Sequence, residues 1–191
     1  MAKKLKGLVK KVWESKIKQS PSKYKHISYS QLSTYNKCPR LWELQYLRNL
    51  VPYEPSIYMV FGTAFHETLQ TYLETLYMDK VKTANDLNIK TILYDNMVKA
   101  YKSAKAMSGH EHFSNETEMY SFYRDGLSIM DWIKKKRGGY FSSKTMQLAG
   151  IETLLYQEIR PGVVFKGLVD LVFYHPNSDR WTIVDIKTST R

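Results

Sequence analysis

Between residues 60 and 136 apolar side chains recur at spacings of three and four. Phe61, Phe65, Leu69, Tyr72 and Leu76 form one such stripe and predict a helix over 60–79. Ile89, Ile92, Leu93, Met97, Ala100, Tyr101 and Ala104 predict a second over 89–107, and Met119, Phe122, Tyr123, Ile129, Met130 and Ile133 a third over 115–136. Lys134, Lys135, Lys136 and Arg137 fall in the last turn of the third helix, where positive charge complements the helix dipole, and Gly138-Gly139 is expected to end it. Upstream, Ser28 or Ser30 suits the cap of a short helix carrying Leu32 and Tyr35. Pro39 suits the first turn of the next helix, with Leu41, Trp42, Gln45 and Tyr46 following at helical spacing. Residues 51–58, with Pro52 and Pro55, read as a loop.

After residue 145 the pattern changes. Residues 147–159 are strand-like, 163–174 (VVFKGLVDLVFY) are rich in Val, Phe and Leu, and 181–187 (WTIVDIK) read as a further strand. Between the last two lies HPNSDR, which carries turn chemistry. Helices followed by an antiparallel-edged central sheet make the expected fold class α+β, a mixed α/β arrangement.

Composition narrows the class. A chain of 191 residues, 43% of them hydrophobic, suffices for one domain with a core. No apolar run approaches the roughly 20 residues that span a bilayer, so no membrane span is expected. The basic N-terminus lacks an apolar stretch with a small-residue cleavage site, so no secretory leader is expected either. Cys38 is the single cysteine. It excludes a disulfide within the chain, it cannot build a zinc or iron–sulfur site alone, and it suits a reducing cytoplasm.

The formal net charge is +11, and residues 1–25 carry +8 of it, with nine lysines against Glu14. The chain is accordingly read as a basic N-terminal arm, 1–25, ahead of a folded body, 26–191. Lys3, Lys4, Lys6, Lys10 and Lys11 are candidates for contacts to DNA phosphates. A solvated tail is an equal alternative, and an amphipathic membrane-surface helix carrying Leu5, Leu8, Val9, Val12 and Trp13 is a third.

The chemistry gathers at the last two strands. A hairpin folded symmetrically about Asn177 and Ser178 sets Asp170 opposite Asp185, with Cβ atoms about 4.5–5.5 Å apart. Like charges so placed repel, and a divalent cation is the simplest compensation. Lys187, two residues beyond Asp185 on a strand, leaves the same face, where an ammonium group can orient a metal-bound water. An activated water, a Lewis acid and a positive charge near the developing oxyanion are what phosphodiester hydrolysis needs. The bland alternative is a pair of acids satisfied by lysines on a solvated face. Both acids, however, sit in apolar runs, where an unpaired carboxylate is costly.

GLVD at 167–170 followed by VDIK at 184–187 resembles the PD-(D/E)XK nuclease superfamily. SYSQLSTYNKCPRLW at 28–42 and GTAFHETL at 62–69 resemble its RecB-like exonuclease branch, which includes helicase–nuclease subunits and CRISPR adaptation nucleases. The resemblance implies a mixed sheet flanked by helices, Mg²⁺ or Mn²⁺, and DNA cleavage. It implies His66, Asp170 and Asp185 as metal ligands, the Ile186 carbonyl as a backbone ligand, and Lys187 as the catalytic lysine. Val169 stands where the superfamily's name has proline. Cys38 matches the first of four cysteines that hold an iron–sulfur cluster in some relatives; with no other cysteine in the chain the cluster is unsupported, and Cys38 is read as a packing or helix-start residue. Relatives continue into a helix with a Gln-x-x-x-Tyr motif and further strands, so the reading is of a domain lacking its C-terminal part: a fragment, a truncated product or one piece of a split enzyme.

Two weaker candidates complete the inventory. His110, Glu111 and His112 form a metal-like group in a Gly- and Ser-flanked loop, with solvent exposure the default. Glu152, on the strand before the hairpin, reads equally as an auxiliary acid or a surface residue. The functional expectation is a metal-dependent DNA exonuclease in repair, recombination or phage or viral DNA processing, in the cytoplasm of a prokaryote or an infected host, with a helicase among possible partners. The alternative is a non-catalytic DNA-binding or scaffold protein retaining the nuclease fold.

Overall fold

The computed structural model describes residues 25–109 and 112–188. Lys3, Lys4, Lys6, Lys10, Lys11, His110 and Glu111 lie outside the described residues. The chain divides into two compact units, Met1–Pro52 with Gln147–Asp185 and Tyr53–Met146 with Ile186–Arg191. Helices and a mixed four-stranded sheet make the mixed α/β class read from the sequence.

The first unit carries the sheet. Its described elements are β1 (Lys25–Ser28), α1 (Tyr29–Lys37), α2 (Pro39–Trp42), a π-helical turn (Glu43–Leu47), β2 (Gln147–Arg160), β3 (Val163–His175) and β4 (Arg180–Val184). Helix starts follow their caps. Ser28 accepts a hydrogen bond from the Gln31 backbone N–H at 3.3 Å. Cys38 plays the helix-start role, its Sγ accepting from the Leu41 N–H at 3.4 Å with Pro39 in the first turn. Glu43 accepts from Arg40 at 2.6 Å and Arg48 at 2.7 Å, and the two guanidinium groups hold its carboxyl below the usual carboxylate range.

β3 is the centre of the sheet. β2 pairs with it antiparallel along nearly its whole length. The other edge of β3 is shared: β1 runs parallel to Val163–Lys166, and β4 runs antiparallel to Leu171–His175. Gly167, Leu168, Val169 and Asp170 therefore lie in a gap between β1 and β4, with no strand on that edge among the described residues. The sequence reading missed β1, because four residues are too few to show an alternation; its pairing comes from β3.

The second unit is helical: α3 (Ile57–Met78), α4 (Val81–Asp86), α5 (Ile89–Met107) and α6 (Glu116–Tyr140). The expected α3 stripe of Phe61, Phe65, Leu69, Tyr72 and Leu76 is buried throughout. α5 contributes Ile89, Leu93, Met97 and Ala104 to the core, and α6 contributes Met130 and Ile133. Burying such side chains stabilises the fold by roughly 1.5–3 kcal/mol each before entropy is subtracted. Thr68 is buried among them; its hydroxyl donates to the Ala64 carbonyl at 2.7 Å and accepts from Asn96 at 3.0 Å, tying α3 to α5. Arg137 on α6 donates to the Tyr72 hydroxyl at 3.3 Å and to Asn85 at 2.8 Å.

Three expectations are corrected. Ile129 is exposed, because the buried stripe of α6 follows Gly126, Met130 and Ile133 and leaves Ile129 on its shoulder. α6 does not end at Gly138-Gly139: both are helical, neither has a positive φ, and the Phe141 N–H bonds the Arg137 carbonyl to close the last turn. Glycine stops a helix only when it takes the left-handed conformation, and here it does not. The strand expected over 181–187 runs from Arg180 to Val184, so Asp185, Ile186 and Lys187 lie beyond its pairing.

Two glycines of α6 test the packing. A methyl group on Gly126 would come within 2.7 Å of Leu93 and 3.0 Å of Phe61, whereas one on Gly138 meets nothing within 4 Å. Gly126→Ala is expected to destabilise by about 1–3 kcal/mol despite its better helix propensity. Gly138→Ala is expected to stabilise by up to about 1 kcal/mol. Urea denaturation midpoints check both; equal shifts of one sign would contradict the packing.

Candidate active site

The β3–β4 hairpin closes through a turn in which the Ser178 N–H bonds the His175 carbonyl at 3.2 Å and Asp179 takes a left-handed φ of 49°. Side chains on both faces pin its register. Tyr174 and Trp181 face each other with ring centroids 4.9 Å apart, and Thr182 hydrogen-bonds His175 at 2.9 Å. The Tyr174 hydroxyl donates to Asp179 at 2.9 Å, and this bond to a carboxylate raises the pKa of the phenol, since ionisation would lose the bond and set two anions together.

The paired residues are His175 with Arg180, Tyr174 with Trp181, Phe173 with Thr182, Val172 with Ile183, and Leu171 with Val184. The symmetric hairpin read from the turn is thus the register found over these five pairs. Asp170 and Asp185 come next beyond the last pair, Asp170 half-buried and Asp185 exposed. Asp170 shares its face of β3 with Leu168 and Val172, and Val172 pairs with Ile183. Leu168 and Ile183 are 59% and 67% exposed, so this face is partly apolar at the surface.

The other neighbour of Asp170 was weighed in the sequence but not placed. β2 pairs Ile151 with Leu171 and Thr153 with Val169, which brackets Glu152 against Asp170. Glu152 is exposed and has a left-handed φ of 45°, which breaks the regular alternation of β2 at that level. A Cβ on Gly150 would lie 2.1 Å from the Thr153 hydroxyl, which would have to turn away, and the register of β2 shifts between Leu148 and Gly150. No sequence pattern short of a lone Gly in a strand announces this distortion.

Oxygen donors at facing positions suit a hard divalent cation, and two carboxylates leave room for water and substrate oxygens, as Mg²⁺ and Mn²⁺ sites require. Among the described residues of either unit, no three His, Cys, Asp or Glu side chains form a ready-made metal cluster.

In the helical unit His66 is half-buried on α3, beside the buried Phe65 and Leu69. Gly62 lies one turn before it on the same face, and a Cβ there would meet the Thr188 hydroxyl at 3.1 Å. The segment carrying Ile186 and Lys187 thus reaches α3 one turn from His66. Ile186 is half-buried and Lys187 exposed. Because β4 ends at Val184, strand alternation does not decide which way Lys187 points, contrary to the sequence expectation.

The remaining candidates are placed as follows. His112 is exposed and accounted for locally, 3.0 Å from the Tyr101 hydroxyl and 2.7 Å from the Lys105 ammonium. Cys38 is exposed. Among the described residues no helix is long and apolar enough to cross a membrane.

A family model of the PD-(D/E)XK nuclease superfamily matches residues 26–191. The chain belongs to the PD-(D/E)XK nuclease superfamily. A comparison with curated proteins and one with solved structures find no match. PD-(D/E)XK nucleases generally use divalent metal ions, which the oxygen donors of Asp170 and Asp185 suit, and nuclease chemistry points to a nucleic-acid substrate. The matched span includes the half-buried Asp170, the exposed Asp185, and the α3 helix with His66.

The register has a direct check that does not involve activity. In a Cys38→Ser background, Asp170→Cys with Asp185→Cys is expected to oxidise to a disulfide within one chain, because directly opposed Cβ atoms lie near the bonding range. Val169→Cys with Asp185→Cys, which point to opposite faces, is expected to stay reduced. Non-reducing gel mobility and mass spectrometry read the result.

Proposed function

We propose that the chain is a metal-dependent deoxyribonuclease of RecB-like type that hydrolyses phosphodiester bonds from ends or in single strands. The observation that supports this reading is the β3–β4 register, whose last pair, Leu171 with Val184, lies one position before Asp170 and Asp185. In this reading Asp170 and Asp185 hold Mg²⁺ or Mn²⁺, with the Ile186 carbonyl and the His66 imidazole as further donors. The bound cation would supply Lewis acidity and an acidified water. Lys187 orients that water and offsets charge on the phosphate as it develops. The approach of Thr188 to Gly62 supports a role for the segment after Asp185 beside the His66 helix. The motifs at 28–42 and 62–69 support the RecB-like assignment, and with it exonuclease action in repair, recombination or phage and viral DNA processing. Lys3, Lys4, Lys6, Lys10 and Lys11 are assigned to DNA phosphates on charge alone. A helicase partner and a cytoplasmic setting belong to the same proposal.

The second reading is a DNA-binding scaffold that retains the fold without cutting. The lack of a three-donor cluster among the described residues favours it. Metal binding separates the two readings. For a nuclease, calorimetric titration detects Mn²⁺ binding that disappears in Asp170→Ala, and linear DNA is degraded with Mn²⁺. Asp185→Ala and Lys187→Ala are each expected to slow that degradation by about a hundredfold or more. Cleavage by both variants at the parent rate would sink the assignment. Absence of Asp170-dependent binding together with intact DNA affinity would establish the scaffold.

A further inference from the structure

A groove opens in the sheet unit where β1 gives way to α1. Residues 26–31 and 166–168 line it, and it encloses about 480 Å³, within the size range of small-ligand sites. We propose that this groove holds one nucleotide of a single DNA strand on its way to the acid pair. The proposal rests on the nuclease reading above and names the form of substrate that reading left open.

Four observations carry it. First, the lining holds the basic side chain of Lys166 and the imidazole of His26 and contains no Asp or Glu, so an anionic ligand is favoured. Second, Tyr29 stands in the groove 72% exposed, although it is the first residue of a helix with apolar company available. An exposed aromatic face beside a cation is the combination that binds an unpaired base and its phosphate. Third, the Tyr156 hydroxyl is buried without a hydrogen-bond partner. Tyr156 is the cross-strand neighbour of Lys166 and meets His26 edge-on at 6.1 Å, so the residue carrying this polar group adjoins two of the groove's lining residues.

The fourth observation is alignment. Lys166, Leu168 and Asp170 alternate on one face of β3 and span about 13 Å. This face borders the edge gap between β1 and β4, with the groove at one end and Asp170, next to the last β3–β4 pair, at the other. A short stretch of one strand reaches both ends. A duplex does not suit the groove, because a base stacked on Tyr29 must be unpaired.

Photocrosslinking tests the assignment independently of cleavage. The probe is a short oligothymidylate carrying one 5-iodouracil, bound to the full chain in EDTA. Trypsin cuts after Lys25 and Lys37, so peptide 26–37 separates from the basic arm. The expected crosslink maps to Tyr29 in that peptide. It is retained in Tyr29→Phe, lost in Tyr29→Ala and reduced about fivefold or more in Lys166→Glu. It is expected to persist in Asp185→Ala, which separates the groove from catalysis: a Tyr29 crosslink in a chain that cleaves nothing supports the groove and overturns only the nuclease reading. Crosslinks confined to residues 1–25, equal crosslinking of a duplex probe, or full competition by inorganic phosphate at the probe's concentration would each overturn the nucleotide site.

Discussion

The sheet unit depends on the register of the β3–β4 hairpin, which pairs Leu171 with Val184 and brings Asp170 and Asp185 to the open end of that ladder. The register is held by Tyr174 against Trp181, by His175 against Thr182, and by the left-handed Asp179 that closes the turn. A slip of one residue would exchange the two faces of β4 against β3.

β3 gathers the other features of the sheet unit. Its whole length is fixed by β2 on one edge, which frees the opposite edge to be divided between β1 and β4. Among the described residues neither β1 nor β4 pairs with Gly167–Asp170, so the ladder on that edge is interrupted beside Asp170. The distortion of β2 at Glu152, level with Asp170, belongs to the same neighbourhood. In the helical unit, by contrast, the core is ordinary close packing. α3 buries a full stripe against α5 and α6, and Gly126 lets Leu93 and Phe61 approach α6 more closely than any larger residue would.

Much of this was legible in the residues. The α3 and α5 stripes were read with their buried members, because a helix that must bury one face writes a three-and-four spacing into the sequence. The register of the β3–β4 hairpin was legible for a similar reason: turn chemistry at HPNSDR fixes a centre, and period-two alternation fixes the pairs at equal distances from it. What was not legible depended on partners far away in sequence. Lys25–Ser28 is a strand only because β3 offers it an edge. The end of β4 at Val184 is set by where its pairing with β3 stops, and that left the direction of Lys187 beyond the reach of alternation. Gly138 and Gly139 carry the residue type that ends helices, yet nothing there calls for the left-handed conformation.

The sequence by itself determined the class of fold, the helices of the core and the hairpin register. These follow from local periodicity and turn chemistry, which act over a few residues and survive any arrangement of the rest; membership in the nuclease family rests instead on the likeness of whole motifs. Tertiary structure alone decided the divided edge of β3, the groove between Tyr29 and Lys166, the placement of Glu152 level with Asp170, and the approach of Thr188 to α3. Each of these brings together groups distant along the chain, and long-range proximity leaves no periodic trace in a single sequence.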